Sequence, residues 1–247
     1  MVEIVGMGEM DRGITEFFRE IPGILIVFIL AAFYMLTAET LYKAGAIIML
    51  LGMSMHAALP PTKVLATLAI CMYSLGEHIQ LGMKSSISLN YAREGKGGAA
   101  LGAQSAMSQI GTLAGYLVIV AVFSVLVKNP PYKLFFGIAA VLAAISAVCA
   151  FRVRGKSETD KNKRRFYFSK KYSKYYMLEM FYGARKQVFL TFGPLLLIKA
   201  YGMDTKQIAM LFGVSALITA VFDGRLIGKL VDYFGYRNLM IYDTVIL

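Results

Sequence analysis

Charge is scarce in this chain, and it leans one way. Only 17% of the 247 residues are Asp, Glu, Lys or Arg, with fifteen acidic side chains against 26 basic ones. An ordinary soluble domain has about 25% charged residues, so a solvated globular surface is excluded as the main environment of this sequence. Cysteine is rarer still. Cys71 and Cys149 lie in separate apolar stretches, which argues against a disulfide framework and against a thiolate metal cage. With two histidines, no phosphate-cradling glycine loop and no His/Asp or Glu group at ligand spacing, the sequence offers no metal centre, nucleotide site or nucleophile triad. No cofactor is implied, and the chain is not expected to be an enzyme. Met1–Gly13 has no basic segment followed by an apolar core and does not read as a cleavable leader.

What the chain has in quantity is apolar residues, 57% of the total, with a mean hydropathy of +0.60. A hydrocarbon core of about 30 Å needs roughly 20 mostly apolar residues per spanning helix. Ile21–Ala38, Ala44–Thr62, Gly97–Val127, Leu134–Phe151 and Gln207–Phe222 contain no Asp, Glu, Lys or Arg. Val64–Ala92 and Tyr175–Ile198 reach spanning length with ionisable interruptions. The expected fold class is therefore an all-α integral membrane protein, a multi-span helical bundle with seven spans and Leu239–Leu247 as the opening of an eighth. "FREIPG" at Phe18–Gly23 reads as the entry to the first span, with Pro22 in the first turn and Arg19 and Glu20 as solvated caps.

The net charge of +11 would suggest nucleic acid in a soluble protein, so its distribution matters. Ten Lys and Arg fall within Arg152–Lys174. Alternation of the spans puts Lys43, Arg93, Lys96, Arg225, Lys229 and Arg237 on that same side, sixteen cations in all. The other side collects seven: Arg12, Arg19, Lys63, Lys128, Lys133, Lys199 and Lys206. Sixteen against seven obeys the positive-inside rule, which makes Arg152–Lys174 cytoplasmic. The basic excess reports topology in a multi-pass protein of the cell membrane, plasma or inner, and no nucleic-acid partner is expected. Short connectors such as "LPPTK" and "KNPPYK" suit antiparallel neighbours. The long charged loop reads as a boundary. The expected organisation is a helical bundle over 1–151 with five spans, a basic cytoplasmic linker over 152–174, and the start of a second bundle over 175–247.

"GRLIGKLVDYFGYRNLM", Gly224–Met240, sits between two apolar runs on the cytoplasmic side. Gly228, Asp232, Gly235 and Arg237 form G-x-x-x-D-x-x-G-x-R. Glycines permit tight backbone turns, and the aspartate can accept from freed amides or pair with a basic neighbour, so the stretch can latch a gate. It resembles the loop signature of the major facilitator superfamily, which there joins the second helix to the third and recurs between the eighth and ninth. The preceding "TFGPLLLIKAYGMDTKQIAMLFGVSALITAVFDGRLIG" is similar to that family's seventh and eighth helices. The resemblance implies a partial twelve-helix architecture, helices two to eight plus a stub of nine, in a truncated secondary transporter that moves a small solute by alternating access. The alternative is a seven-helix membrane sensor or receptor without transport. "TAETLYK" at Thr37–Lys43 lacks the glycine-aspartate pattern, "HIQLG" puts His78 where the family's drug exporters carry arginine, and Gly111 and Gly115 keep a small-x-x-x-small packing spacing without the antiporter proline.

Charge within a span costs at least about 2.5–3.5 kcal/mol, so intramembrane polar residues point to partners or water. Glu77, Gln80, Lys84, Ser88 and Tyr91 recur at helical spacing as one stripe with His78 beside it. Glu179, Tyr182 and Lys186 stack likewise, with Arg185 on the adjacent edge. By the resemblance, both helices line the central cavity. Glu77, His78, Gln80, Lys84, Glu179, Tyr182, Arg185 and Lys186 are the substrate-path candidates. Lys84 snorkelling to the interface and a purely structural Glu77–His78 pair stay open. Adjacent cations near the midplane suit an anionic small molecule or a facing carboxylate. A coupling proton or ion is compatible with the acidic members.

Overall fold

The computed structural model describes residues 5–125, 132–154, 168–222, 226 and 228–246. The described residues are 88% helical, and no strand occurs among them. Eight α-helices appear there: α1 (Glu9–Ala32), α2 (Ala38–Ala58), α3 (Lys63–Tyr91), α4 (Gly97–Val125), α5 (Tyr132–Arg152), α6 (Ser173–Tyr201), α7 (Thr205–Phe222) and α8 (Gly228–Ile246). Five of them, α2, α3, α4, α5 and α7, are long and apolar enough to cross a membrane. The multi-span helical bundle expected from composition is what the chain builds. α1 and α6, with 24 and 29 residues, have the length but carry more charge.

Helix ends follow local chemistry. The Thr37 hydroxyl accepts from the Thr40 amide and the Thr62 hydroxyl from the Leu65 amide, each satisfying a donor that the first turn leaves free. Asp204 and Gln207 form a reciprocal capping box at the start of α7, at 2.7 and 3.0 Å. α6 ends on Gly202, whose φ of 62° lets its amide and that of Met203 turn back onto the Ile198 and Leu197 carbonyls.

Helix contacts divide the chain into two units, Met1–Ala92 with Pro131–Arg165, and Arg93–Pro130 with Phe166–Leu247. In the first, α2 is central and packs antiparallel against both α3 and α5. Ala46 meets Ala147 and Ala150 near one end, and His56 stacks on Phe136 near the other, with centroids 4.9 Å apart. The approach of α2 to α3 is backbone to backbone. A Cβ on Gly76 would lie 2.5 Å from the Gly45 carbonyl and 2.6 Å from the Met49 amide, and one on Gly52 would lie 2.5 Å from the Tyr73 amide. In the second unit, α7 presents Ala209, Gly213, Ala216 and Ala220 along one face, and Gly213 packs on Leu113 and Tyr116 of α4. Packing therefore groups α4 with the later chain, whereas sequence order groups it with the first five spans.

Pro22 departs from its expected place. It lies deep within α1, not in a first turn. The charged stretch before it continues the helix because its side chains find partners at one-turn spacing: the Asp11 carboxylate accepts the Gly8 amide, and Arg19 pairs with Glu16. Arg19 and Glu20 are accordingly members of an ion cluster, not solvated caps.

Candidate functional site

The polar residues of the first unit gather along the contact of α1 with α3, which run parallel. Successive turns of α1 meet successive turns of α3. Lys63 Nζ donates to Asp11 at 2.6 Å, Thr15 and Thr67 hydroxyls lie 3.0 Å apart, the Ser74 hydroxyl donates to the Arg19 carbonyl, and the His78 ring rests on Gly23. The last two contacts flank a proline. Pro22 has no N–H, which deprives this stretch of one intrahelical donor, and Ser74 adds a donor at the neighbouring carbonyl. Since the Ser74 hydroxyl donates to Arg19, it accepts from His78 Nδ1 at 3.1 Å, and Nδ1 also reaches the Ser74 carbonyl at 2.8 Å. Gly23 admits the ring because it has no side chain. A Cβ there would sit 2.5 Å from Nε2.

Around this seam the charges are arranged about Arg19. Its Nε lies 2.7 Å from Glu16 and its Nη2 2.5 Å from Glu20, with Glu77 of α3 near enough to act on it electrostatically. The side chain is 24% exposed, so the cluster is half-buried. Where α1 and α3 begin, the exposed Asp11–Lys63 pair borders a cleft of about 330 Å³ walled by Met7, Ile14, Phe18, Val64, Leu68 and Cys71. The Lys63 ammonium, followed by the Gly8 amide, holds the Asp11 carboxyl below the usual carboxylate range. That contribution is present above about pH 4, is lost as pH falls through the depressed value, and is small because the pair is exposed.

The stripe on α3 divides. Gln80 Nε2 donates to the Tyr42 carbonyl of α2 at 3.4 Å, and Tyr91 donates to the Arg154 carbonyl beyond the end of α5. His78 faces α1. Glu77 and Lys84 are half-buried. On α6 the backbone is helical through the expected stack, and the Tyr182 ring is exposed, while the side chains of Glu179, Arg185 and Lys186 lie outside the described residues. Residues 155–167 of the basic linker lie outside them as well. A Cβ on Gly111 or Gly115 would meet nothing within 4 Å, and the tight approach of α2 to α3 falls at Gly45, Gly52 and Gly76.

Gly228, Asp232, Gly235 and Arg237 all fall on α8. The stretch is a helix broken at Gly235, whose φ of 76° and ψ of 154° are open essentially to glycine alone. Asp232 and Arg237 are exposed on either side of the break. Gly235→Ala is expected to cost about 1–2 kcal/mol, or to straighten the break, because an L side chain is strained at that backbone conformation. Thermal unfolding in detergent compared with Gly228→Ala, which sits on ordinary helix, measures the difference.

The family model for the Major Facilitator Superfamily matches residues 25–247, from within α1 to the last residue. This chain belongs to the major facilitator superfamily. It is a multi-pass membrane transporter of that family, whose members act on small molecules within a lipid bilayer. No curated protein and no solved structure matches it.

Three buried polar residues escaped the sequence reading. Glu39, 2% exposed, is buried in the first turn of α2, where free amides favour a carboxylate. Ser74 and Thr15 are buried hydroxyls of the seam. Ser74 stands one helical turn before His78, a spacing visible in the sequence, but only the position of α1 reveals its second partner.

Proposed function

We propose that this transporter moves a small anionic solute by alternating access, two helical bundles rocking about a central site near the bilayer midplane. The match of the family model across residues 25–247 supports the transporter part of the reading, and the adjacent Arg185 and Lys186 motivate its anionic part. The bundles follow chain order, 1–151 and 175–247, with α4 of the first packing on α7 of the second; the cytoplasmic linker at 152–174 joins them, and the protein resides in the plasma or inner membrane. Arg185 and Lys186 attract the solute, Glu179 and Glu77 balance charge between turnovers or carry a coupling proton, and Lys84 and Tyr182 extend the path. Gly228, Asp232, Gly235 and Arg237 latch the cytoplasmic side, the broken helix at Gly235 supplying the bend.

The reading is tested in proteoliposomes holding the complete transporter, with a panel of small carboxylates and phosphates and with and without a proton gradient. Protein-dependent accumulation that a protonophore collapses is expected. Solute binding without accumulation would favour the sensor alternative. Lys186→Gln should weaken uptake of the accepted anion about tenfold, or ~1.4 kcal/mol, with expression unchanged. If Lys186 only pairs with a carboxylate, expression should fall instead and recover when Glu179→Gln is added.

Topology is checked separately. In a chain lacking Cys71 and Cys149, Asn129→Cys should react with an impermeant thiol reagent added outside intact cells, and Ser157→Cys should not. The reverse pattern would invert the assignment.

A further inference from the structure

We propose that Phe168–Tyr176 is a docking site for the headgroups of anionic phospholipid. The segment reads "FSKKYSKYY": three lysines, four aromatic rings and no acid. Its backbone is fixed. The Ser169 hydroxyl accepts the Lys171 amide at 3.3 Å, the Tyr172 amide returns to the Ser169 carbonyl at 3.0 Å, and the resulting turn Lys170–Tyr172 runs directly into α6. That geometry gathers the rings about Tyr176, which stacks on Phe168 at 4.8 Å and meets Tyr172 and Tyr175 edge-on at 6.5 and 6.2 Å. Lys171 lies over the Tyr172 ring at 5.9 Å, and Lys170, Lys171 and Lys174 are all exposed.

The positive-inside rule explains the sign of this segment but not its rings. Phe168 is 84% exposed, with Tyr172 and Tyr175 also open, an apolar surface that water would not favour. Aromatic side chains at the end of a membrane helix belong at headgroup depth, and lysines beside them are attracted to an anionic surface. The rings pack on one another and do not stand apart as single stacking platforms, which favours a lipid surface over a nucleic acid. With no carboxylate within the segment, charge complementarity selects anionic over zwitterionic lipid.

The 247 residues contain no tryptophan, so Phe168→Trp places a sole reporter in the cluster of this chain. It is reconstituted in vesicles of phosphatidylcholine with a fifth phosphatidylserine. In one set the phosphatidylserine is brominated, and in the other an equal amount of phosphatidylcholine. Quenching by brominated phosphatidylserine should be stronger, by about threefold or more given three cations. The preference should vanish in Lys170→Gln/Lys171→Gln/Lys174→Gln and in about 0.5 M salt, where screening shortens to a few ångströms. The corresponding triple arginine variant should retain it, which separates lost charge from lost folding. Equal quenching by both lipids overturns the proposal, as does a preference that survives the glutamine triple. Emission of a water-exposed tryptophan with no quenching also overturns it, and would leave the segment free for an acidic soluble partner.

Discussion

Gly76→Ala is expected to cost about 3 kcal/mol, the upper end for overpacking, because the added methyl meets backbone from two residues of α2. A clash with the tip of a flexible side chain is relieved by a rotamer change. Here the nearest atoms are the Gly45 carbonyl oxygen at 2.5 Å and the Met49 amide nitrogen at 2.6 Å, which shift only if the whole of α2 retreats from α3. Such a retreat would also stretch the Gln80 to Tyr42 hydrogen bond, already 3.4 Å long, and disturb α5, which also packs on α2. Gly111→Ala is the matched control, since nothing lies within 4 Å of its Cβ, and alanine is the better helix former by about 1 kcal/mol. Thermal unfolding of both variants in the same detergent, followed by circular dichroism, checks the contrast. A Gly76→Ala chain as stable as the parent, or a Gly111→Ala chain as damaged as Gly76→Ala, would mean that the close contact between α2 and α3 is not made.

That contrast also marks how far the sequence could be read. Period and composition determine that the apolar stretch from Gly97 is a helix and that the Arg93–Lys96 connector is a turn, since both are local matters of apolar content and turn residues. Which glycines touch another helix is not local. Gly111 and Gly115 have the spacing that permits close packing, but the spacing names no partner. Gly45, Gly52 and Gly76 have no such spacing within one helix and form their contact only when α2 folds back on α3. The polar stripe on α3 illustrates the same limit: its helical alignment is legible, while the engagement of Gln80 with α2 and of His78 with α1 depends on where those helices lie. Pro22 was misplaced for a different reason. Apolarity marks where a span starts, and α1 begins earlier because paired charges, not apolar residues, carry its first turns.

Those paired charges set the other large effect. Arg19→Leu is expected to destabilise the protein by about 2–3 kcal/mol, less than the 3–5 kcal/mol for breaking a fully buried pair, because part of the side chain meets solvent. It exceeds the ~1 kcal/mol of a surface pair because Arg19 serves two carboxylates at once, Glu16 at 2.7 Å and Glu20 at 2.5 Å, with Glu77 adding to the field from α3. The leucine leaves three acidic groups facing one another where the arginine stood. Neutralising them should therefore restore stability, which a mere loss of packing would not allow. Glu16→Gln and Glu20→Gln added to Arg19→Leu should recover about 1–2 kcal/mol, and the same two changes in the parent should cost stability, giving a coupling energy of opposite sign to the single effects. If the combined variant is simply additive, Arg19 contributes through packing alone. The cycle also bears on transport. Ser74 and His78 join α1 to α3 within a few residues of this cluster, so if the ion cluster fixes the register of the two helices, Arg19→Leu should reduce transport along with stability, and the glutamine pair should bring both back together.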